Sequence, residues 1–125
     1  MSDLREFTRI NRSLDIRLDL PGRVLHGRSR DVSMRGALVV CPELLSVGTP
    51  CECTLILDGG EGKVTIRTRG VVVRHVADGM ALRFDELLEP ESYEHLCQLI
   101  RYNALDPDKA EREIAEHIGL KRPAQ

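Results

Sequence analysis

The segment RDVSMRG, residues 30–36, lies between two apolar runs and decides how the surrounding sequence is interpreted. Asp31 and Ser33 are two residues apart, so in an extended backbone both side chains point to the same side. Gly36 follows three residues later, where glycine permits a sharp bend or a close approach of a ligand to the backbone. Asp, Ser and Gly are also common in β-turns, and on spacing alone a plain turn is the favoured interpretation.

Apolar and polar residues alternate on both sides of this segment, which is typical of half-buried strands. The long fifth run contains Gly70, which we expect to mark a bulge or bend. Residues 30–36 are predicted to form the turn after the second strand. The second predicted strand begins with residues 24–28 and runs into the Asp31 turn, and the others cover residues 14–20, 37–41, 51–57, 64–74 and 80–84.

From Pro90 onwards the apolar residues recur at helical spacing, and Pro107 is suited to start a second helix. Six short strands followed by helices predict a mainly-β fold, a small antiparallel barrel with C-terminal α-helices. We therefore expect one domain built from four segments. These are a flexible N-terminal arm (1–12), the barrel (13–88), the helices (89–119) and a frayed tail (120–125).

Charge is distributed unevenly along a chain of 125 residues with a net charge of −2. Residues 1–35 hold eight arginines and five acids, a balance of +3, whereas residues 86–118 hold nine acids and three bases, a balance of −6. The first part suits a small anion, and the second suits solvent or a basic protein surface. The acidic balance and the four aromatic residues argue against a DNA- or RNA-binding protein.

The four cysteines and four histidines show no ligand or catalytic spacing. Cys51-Glu52-Cys53 could be half of a metal site, but without a second Cys/His pair it favours buried core cysteines. Ser33 lacks the glycine setting of a nucleophilic serine. No signal peptide and no apolar run of membrane-spanning length is present, so we expect a cytoplasmic protein with free thiols. We predict no metal, no cofactor, no membrane insertion and no enzymatic activity.

A second motif lies upstream, where Arg5 and Arg9 are four residues apart. Together with Asp31, Ser33 and Gly36, this order resembles the signature of the PilZ family, RxxxR followed some twenty residues later by [D/N]xSxxG. The resemblance implies a six-stranded barrel followed by a helix. It also implies a bacterial signalling receptor whose ligand is cyclic di-GMP, with these five residues contacting it.

The chemistry of these residues fits that ligand. A guanidinium pairs bidentately with phosphate or with the O6/N7 edge of guanine, and it can stack on a base. Asp31 could accept the N1–H and N2–H₂ donors of guanine or anchor an arginine, and Ser33 could donate to phosphate or base. Without the downstream motif, Arg5 and Arg9 would be interpreted as a solvated basic arm.

Four further residues are candidate helpers of the site. Arg12, Arg30 and Arg35 are equally well explained as solvated surface positions. The residue before the first arginine is thought in relatives to influence ligand stoichiometry, and the apolar Leu4 leans towards one molecule. One departure from the family is Ala81, where relatives often carry the second glycine of a Gly-x-Gly pattern. That difference bears on the local backbone conformation more than on ligand binding.

These observations leave three classes of function open. The first is a cyclic di-GMP receptor that changes conformation on binding and signals through a separate protein, which would meet the acidic helices at residues 90–118. The second is an interaction barrel that does not bind the nucleotide. The third, an oligonucleotide-binding barrel, fits poorly with the charge and the aromatic content.

Overall fold

The computed structural model describes residues 8–59 and 62–115, which form seven strands and two helices. The strand Asp15–Leu20 alternates exposed and buried side chains over its first four residues, as the sequence pattern predicts, whereas the strand Gly79–Leu87 is buried at most of its positions. In chain order they are β1 (Arg9–Ile10), β2 (Asp15–Leu20), β3 (Arg23–Ser33), β4 (Gly36–Val40), β5 (Pro50–Gly59), β6 (Gly62–Val76) and β7 (Gly79–Leu87). Helices α1 (Pro90–Asn103) and α2 (Pro107–Ala115) follow them.

The strand pairing closes six of the strands into a barrel. The sheet order is β1-β3-β2-β5-β6-β7-β4, and β3 also pairs with β4, which closes a ring of the six strands β2 to β7. Each pair is antiparallel. Closure removes the free edges that could pair with other chains. The predicted six-stranded antiparallel barrel with C-terminal helices is therefore confirmed, and β1 is a short addition beside β3.

The long strand β3 makes this closure possible. Its first part, Arg23–Arg28, pairs with β2, and its second part, Arg28–Ser33, pairs with β4. The last two residues, Val32 and Ser33, also pair with β1. The prediction that this strand runs into a turn at Asp31 is wrong, because the strand continues to Ser33. Asp31 and Ser33 lie in the strand, and only Met34 and Arg35 form the turn.

Aliphatic side chains fill the barrel, since the chain has few aromatic residues. Phe84 is fully buried among them, and the four free cysteines are also buried. Helix α1 packs against β6 and buries Leu96 and Ile100 in the same core. Its first turn is tied to β6, because Ser92 Oγ accepts a hydrogen bond from the Arg67 amide at 2.9 Å.

The structure describes only part of the predicted terminal segments. Of the expected arm (1–12), the structure describes residues 8–12, and these include β1, whose Ile10 is buried in the core. Residues 116–119 of the expected helical segment and the expected tail (120–125) lie outside the described residues.

The predicted irregularity at Gly70 is confirmed, because the register of β6 and β7 shifts between Arg69 and Gly70. A Cβ added to Gly70 would lie 2.1 Å from the carbonyl oxygen of Arg83, closer than the backbone allows. The glycine therefore permits the close approach of the two strands.

We predict that Gly70→Ala lowers the free energy of unfolding by about 1–3 kcal/mol, because the backbone must move to accept the methyl group. Urea denaturation measures this change. Gly22→Asn is the matched control, since Gly22 has φ 77° with open space around it and asparagine tolerates that conformation. Equal stability of Gly70→Ala and wild type would contradict the close approach.

Candidate ligand-binding site

Three of the predicted site residues share one face at the end of β3. Val32 is 0 % exposed and points into the core, so its neighbours Asp31 and Ser33 point to the outer side. Arg9 of β1 pairs directly with Ser33, which places it on that same side. The guanidinium Nη1 of Arg9 lies 3.8 Å from Oδ2 of Asp31. The two halves of the sequence signature therefore meet in space.

A bulge at Arg30 determines this orientation. Ser29 pairs with Val39 and Asp31 pairs with Leu38, so Arg30 is an extra residue in the strand. The side chain of Ser29 consequently points into the barrel, as that of Val39 does. The side chain of Asp31 points outward, as that of Leu38 does. In a regular strand two residues this far apart would share one side. Ser29 is satisfied where it lies, because its Oγ accepts a hydrogen bond from the Leu14 amide at 2.8 Å.

Asp31 is a largely buried carboxylate surrounded by arginines. It is 8 % exposed, and burial raises its pKa above the ordinary value for aspartate. The positive charges of Arg9, Arg30 and Arg74 oppose this rise without cancelling it. The carboxylate therefore has little water around it and three cations near it, an environment suited to a ligand that carries both hydrogen-bond donors and negative charge.

Arg74 belongs to the surroundings of Asp31, although its place in the sequence gives no indication of it. It lies on β6 opposite Ala81, which lies opposite Leu38, and Leu38 lies opposite Asp31, so one row of paired residues connects them. A register shift between Val72 and Arg74 precedes this pairing. No local sequence signal marks Arg74, because its position depends on that shift and on barrel closure.

The turn that follows Ser33 is held by hydrogen bonds of its own. Ser33 Oγ accepts one from the Arg35 amide at 3.2 Å and donates one to the Gly36 carbonyl at 3.4 Å. Ser33 is 1 % exposed, and Gly36 is buried opposite Arg83 of β7. These contacts keep the turn tight, and they bring Ser33 and Gly36 to the edge of the face that carries Asp31.

Arg35 connects the turn to β7. Its Nε donates a hydrogen bond to the Phe84 carbonyl at 3.1 Å, and the Phe84 amide donates to the Arg35 carbonyl at 2.7 Å. Burial lowers the pKa of Arg35, and the nearby carboxylate of Asp85 opposes that change. The side chain is therefore engaged in holding the turn, which is a structural task.

The side chains of two other candidates contact residues outside the proposed site. Arg30 forms an exposed ion pair with Asp78 in the turn between β6 and β7. Arg12 donates a hydrogen bond through Nη1 to Oδ1 of Asn103 on α1, at 3.3 Å. Leu4 and Arg5 lie outside the described residues.

A cavity of about 820 Å³ lies elsewhere, over β2, β5 and β6. Arg17, Glu52 and Arg67 are among its lining residues, and no described residue of the PilZ-like signature is. Its arginines are paired with carboxylates, as Arg67 is with Glu52 at 3.3 Å. This surface is therefore less suited to binding an anion than the face that carries Asp31.

Metal ligands and membrane-spanning helices are both lacking within residues 8–59 and 62–115. No group of three or more histidine, cysteine or acidic side chains there could hold a metal ion. No helix in this part of the chain is long and apolar enough to cross a membrane.

The family model of the PilZ domain matches residues 3–102, and the chain belongs to the PilZ domain family. The match covers both parts of the signature, from Arg5 and Arg9 to Asp31, Ser33 and Gly36. No curated protein sequence matches the chain significantly.

Solved structures with the same fold are similar to this chain at low sequence identity. The inhibitor of motility (MotI/DgrA) of Bacillus subtilis has a TM-score of 0.64 and 22 % identity, over 81 % of this chain and 51 % of that one. This chain thus spans about half the length of the motility inhibitor. The PilZ domain of CeSA from a cellulose-synthesizing bacterium has a TM-score of 0.53 and 21 % identity, over 74 % and 93 % of the chains. The PilZ domain of YcgR from Escherichia coli, solved with c-di-GMP, has a TM-score of 0.55 and 18 % identity, over 93 % and 98 %.

We predict that Arg35→Met lowers the free energy of unfolding by about 1.5–3 kcal/mol, because the Phe84 carbonyl loses a charged hydrogen-bond donor. Urea denaturation is again the measurement. Arg17→Met is the control, since Arg17 is half exposed and forms its ion pair with Asp19, two residues away on the same strand; we expect a change within about 0.5 kcal/mol. If the free energy of unfolding fell by a similar amount in both variants, the structural role assigned to Arg35 would be wrong.

Proposed function

We propose that this PilZ domain is a receptor for cyclic di-GMP. The ligand binds over the outer face of β3, between Asp31, Ser33 and Gly36 on one side and the segment that carries Arg5 and Arg9 on the other. The observation that supports this most directly is the 3.8 Å approach of Arg9 to Asp31, which unites the two parts of the family signature. The YcgR structure, which contains c-di-GMP, supports the choice of ligand.

Each side chain has a role that follows from its chemistry. The Asp31 carboxylate accepts hydrogen bonds from N1–H and N2–H₂ of a guanine, which is a donor edge that a carboxylate matches. Arg9 donates to a phosphate or to the O6/N7 edge of guanine. Arg30 and Arg74 lie close enough to lower the pKa of Asp31 by their positive charge. The same charges would favour a ligand with two phosphates.

Binding is expected to change the conformation around the N-terminal arm (1–12). We expect a separate protein to recognise this change. The surface near the C-terminal helices is the proposed contact, because two large side chains are exposed there, Tyr102 at 82 % and Leu105 at 102 %. Acidic residues such as Asp106 and Asp108 flank them and are also exposed. A partner with an apolar patch and basic rim would match this surface.

We predict that Arg9→Ala weakens binding of cyclic di-GMP by roughly tenfold to a few hundredfold, the loss of one charge-assisted contact. Isothermal titration calorimetry measures the affinity. GTP and linear pGpG are the control ligands, and both should bind poorly. Arg17→Ala is the control, because Arg17 lines the separate cavity over β2 and β5. Wild-type affinity in Arg9→Ala would refute this site, and no binding by the folded wild type would favour the interaction barrel.

The affinity should also fall in acid. Because burial raises the pKa of Asp31, this carboxyl takes up its proton at a higher pH than an ordinary aspartate does. The protonated group loses acceptor capacity for guanine, so binding weakens as the pH falls towards the raised pKa. Folding stability responds in the opposite direction, since a pKa raised in the folded state makes the Asp31 contribution less favourable as the pH rises through it.

Calorimetric titrations at a series of pH values, from neutral into mild acid, check this dependence. Asp31→Asn should bind more weakly at pH 7 and lose most of the acid-dependent decrease. An equally steep decrease in Asp31→Asn would assign the pH dependence to another group.

A further inference from the structure

Helix α2 carries a buried carboxylate that the proposed site does not use. Glu113 is 7 % exposed, and each of its oxygens accepts a hydrogen bond from one residue of the N-terminal segment, while Oε2 also lies 4.0 Å from Nζ of Lys109. Its Oε1 accepts a hydrogen bond from the Thr8 amide at 2.7 Å, and its Oε2 accepts one from Thr8 Oγ1 at 3.0 Å. The two partners are 105 residues apart in the chain. Thr8 directly precedes Arg9.

Helix α2 is itself fixed to the body of the protein. Ala110 and Ile114 are buried in or against the core. Asp106 Oδ1 caps the helix by accepting a hydrogen bond from the Lys109 amide at 3.1 Å. Arg101 of α1 also donates to Glu111 of α2 at 2.6 Å, but both side chains are about half exposed, so this pair adds little to the docking of the helix. The Glu113 carboxylate is therefore held at a defined place beside β1.

Strand β1 needs such an anchor. It has two residues, Arg9 and Ile10, and within the described part of the chain its pairing is with the end of β3. So few strand hydrogen bonds do not hold a segment by themselves. Ile10 fixes the strand on the core side, and Glu113 fixes the backbone and the side chain of the residue before it. Together they determine how Arg9 is presented to Asp31.

We propose that Glu113 is a positioning residue for the ligand site, which acts through Thr8 to hold Arg9 beside Asp31. This inference rests on the proposed function for its ligand, though its geometric part does not. Because coupling between two sites is reciprocal, ligand bound at Arg9 also stabilises the docked position of α2. A protein that binds α2 in an undocked position would then lower the affinity for the ligand.

Affinity measurements on variants of both partners test the proposal, each at a temperature well below the unfolding midpoint. Glu113→Ala should bind cyclic di-GMP about tenfold more weakly, since the bonds to Thr8 are lost. Glu113→Gln should stay within about threefold of wild type, because an amide can accept from the Thr8 N–H and donate to Oγ1. Thr8→Val combined with Glu113→Ala should bind no more weakly than Glu113→Ala alone.

Glu111→Ala is the matched control on the same helix. Glu111 is about half exposed and pairs with Arg101, so its loss perturbs α2 without touching Thr8. Wild-type affinity is expected. If Glu113→Ala lowers the unfolding midpoint but leaves the affinity unchanged, or if Glu111→Ala weakens binding equally, the positioning role is wrong.

A ligand-free measurement separates this proposal from the proposed function. The NMR resonance of Arg9 Nε–H reports its surroundings, and we expect it to shift in Glu113→Ala but not in Glu111→Ala. If the wild type fails to bind cyclic di-GMP while this shift occurs, the receptor function fails and the positioning by Glu113 stands. An unchanged Arg9 resonance in Glu113→Ala overturns the positioning, whatever the affinity.

Discussion

One extra residue in β3, Arg30, determines which side chains of the segment 30–36 face outward. Before the bulge, the strand alternates so that Ser29 faces inward with Val39. After it, Val32 takes the core position, and Asp31 and Ser33 face outward. Without the bulge, Asp31 would share the inner side with Ser29, where a carboxylate cannot be buried unpaired without a large cost. Barrel packing and the candidate site therefore depend on the same local irregularity.

The site is assembled from elements distant in the sequence, and each is supported by another part of the fold. Asp31 comes from β3 and Arg9 from β1, and Arg74 adds its charge from β6. The tight turn after Ser33 is tied to β7 through Arg35 and Phe84. Such support matters because binding residues that are already placed lose less entropy when a ligand arrives. The face around Asp31 is in this sense suited to the anionic ligand that we propose for it.

The sequence was informative where the chemistry is local. Alternation revealed the strands, and Gly70 revealed a bulge because a glycine in a long strand is unusual. The bulge at Arg30 could not be predicted, since no glycine marks it and the neighbouring Asp, Ser and Gly indicated a turn instead. The roles of Arg74 and Glu113 could not be predicted either. Their positions depend on barrel closure and on the docking of α2, which are long-range contacts that no spacing in the chain expresses.

The most direct test of the receptor proposal is to record amide NMR spectra of the isotope-labelled protein during a titration with cyclic di-GMP. The proposal predicts saturable shifts concentrated at Arg9, Asp31, Ser33 and Gly36. Shifts confined to the cavity lined by Arg17, Glu52 and Arg67, or spectra that do not change as ligand is added, would contradict it.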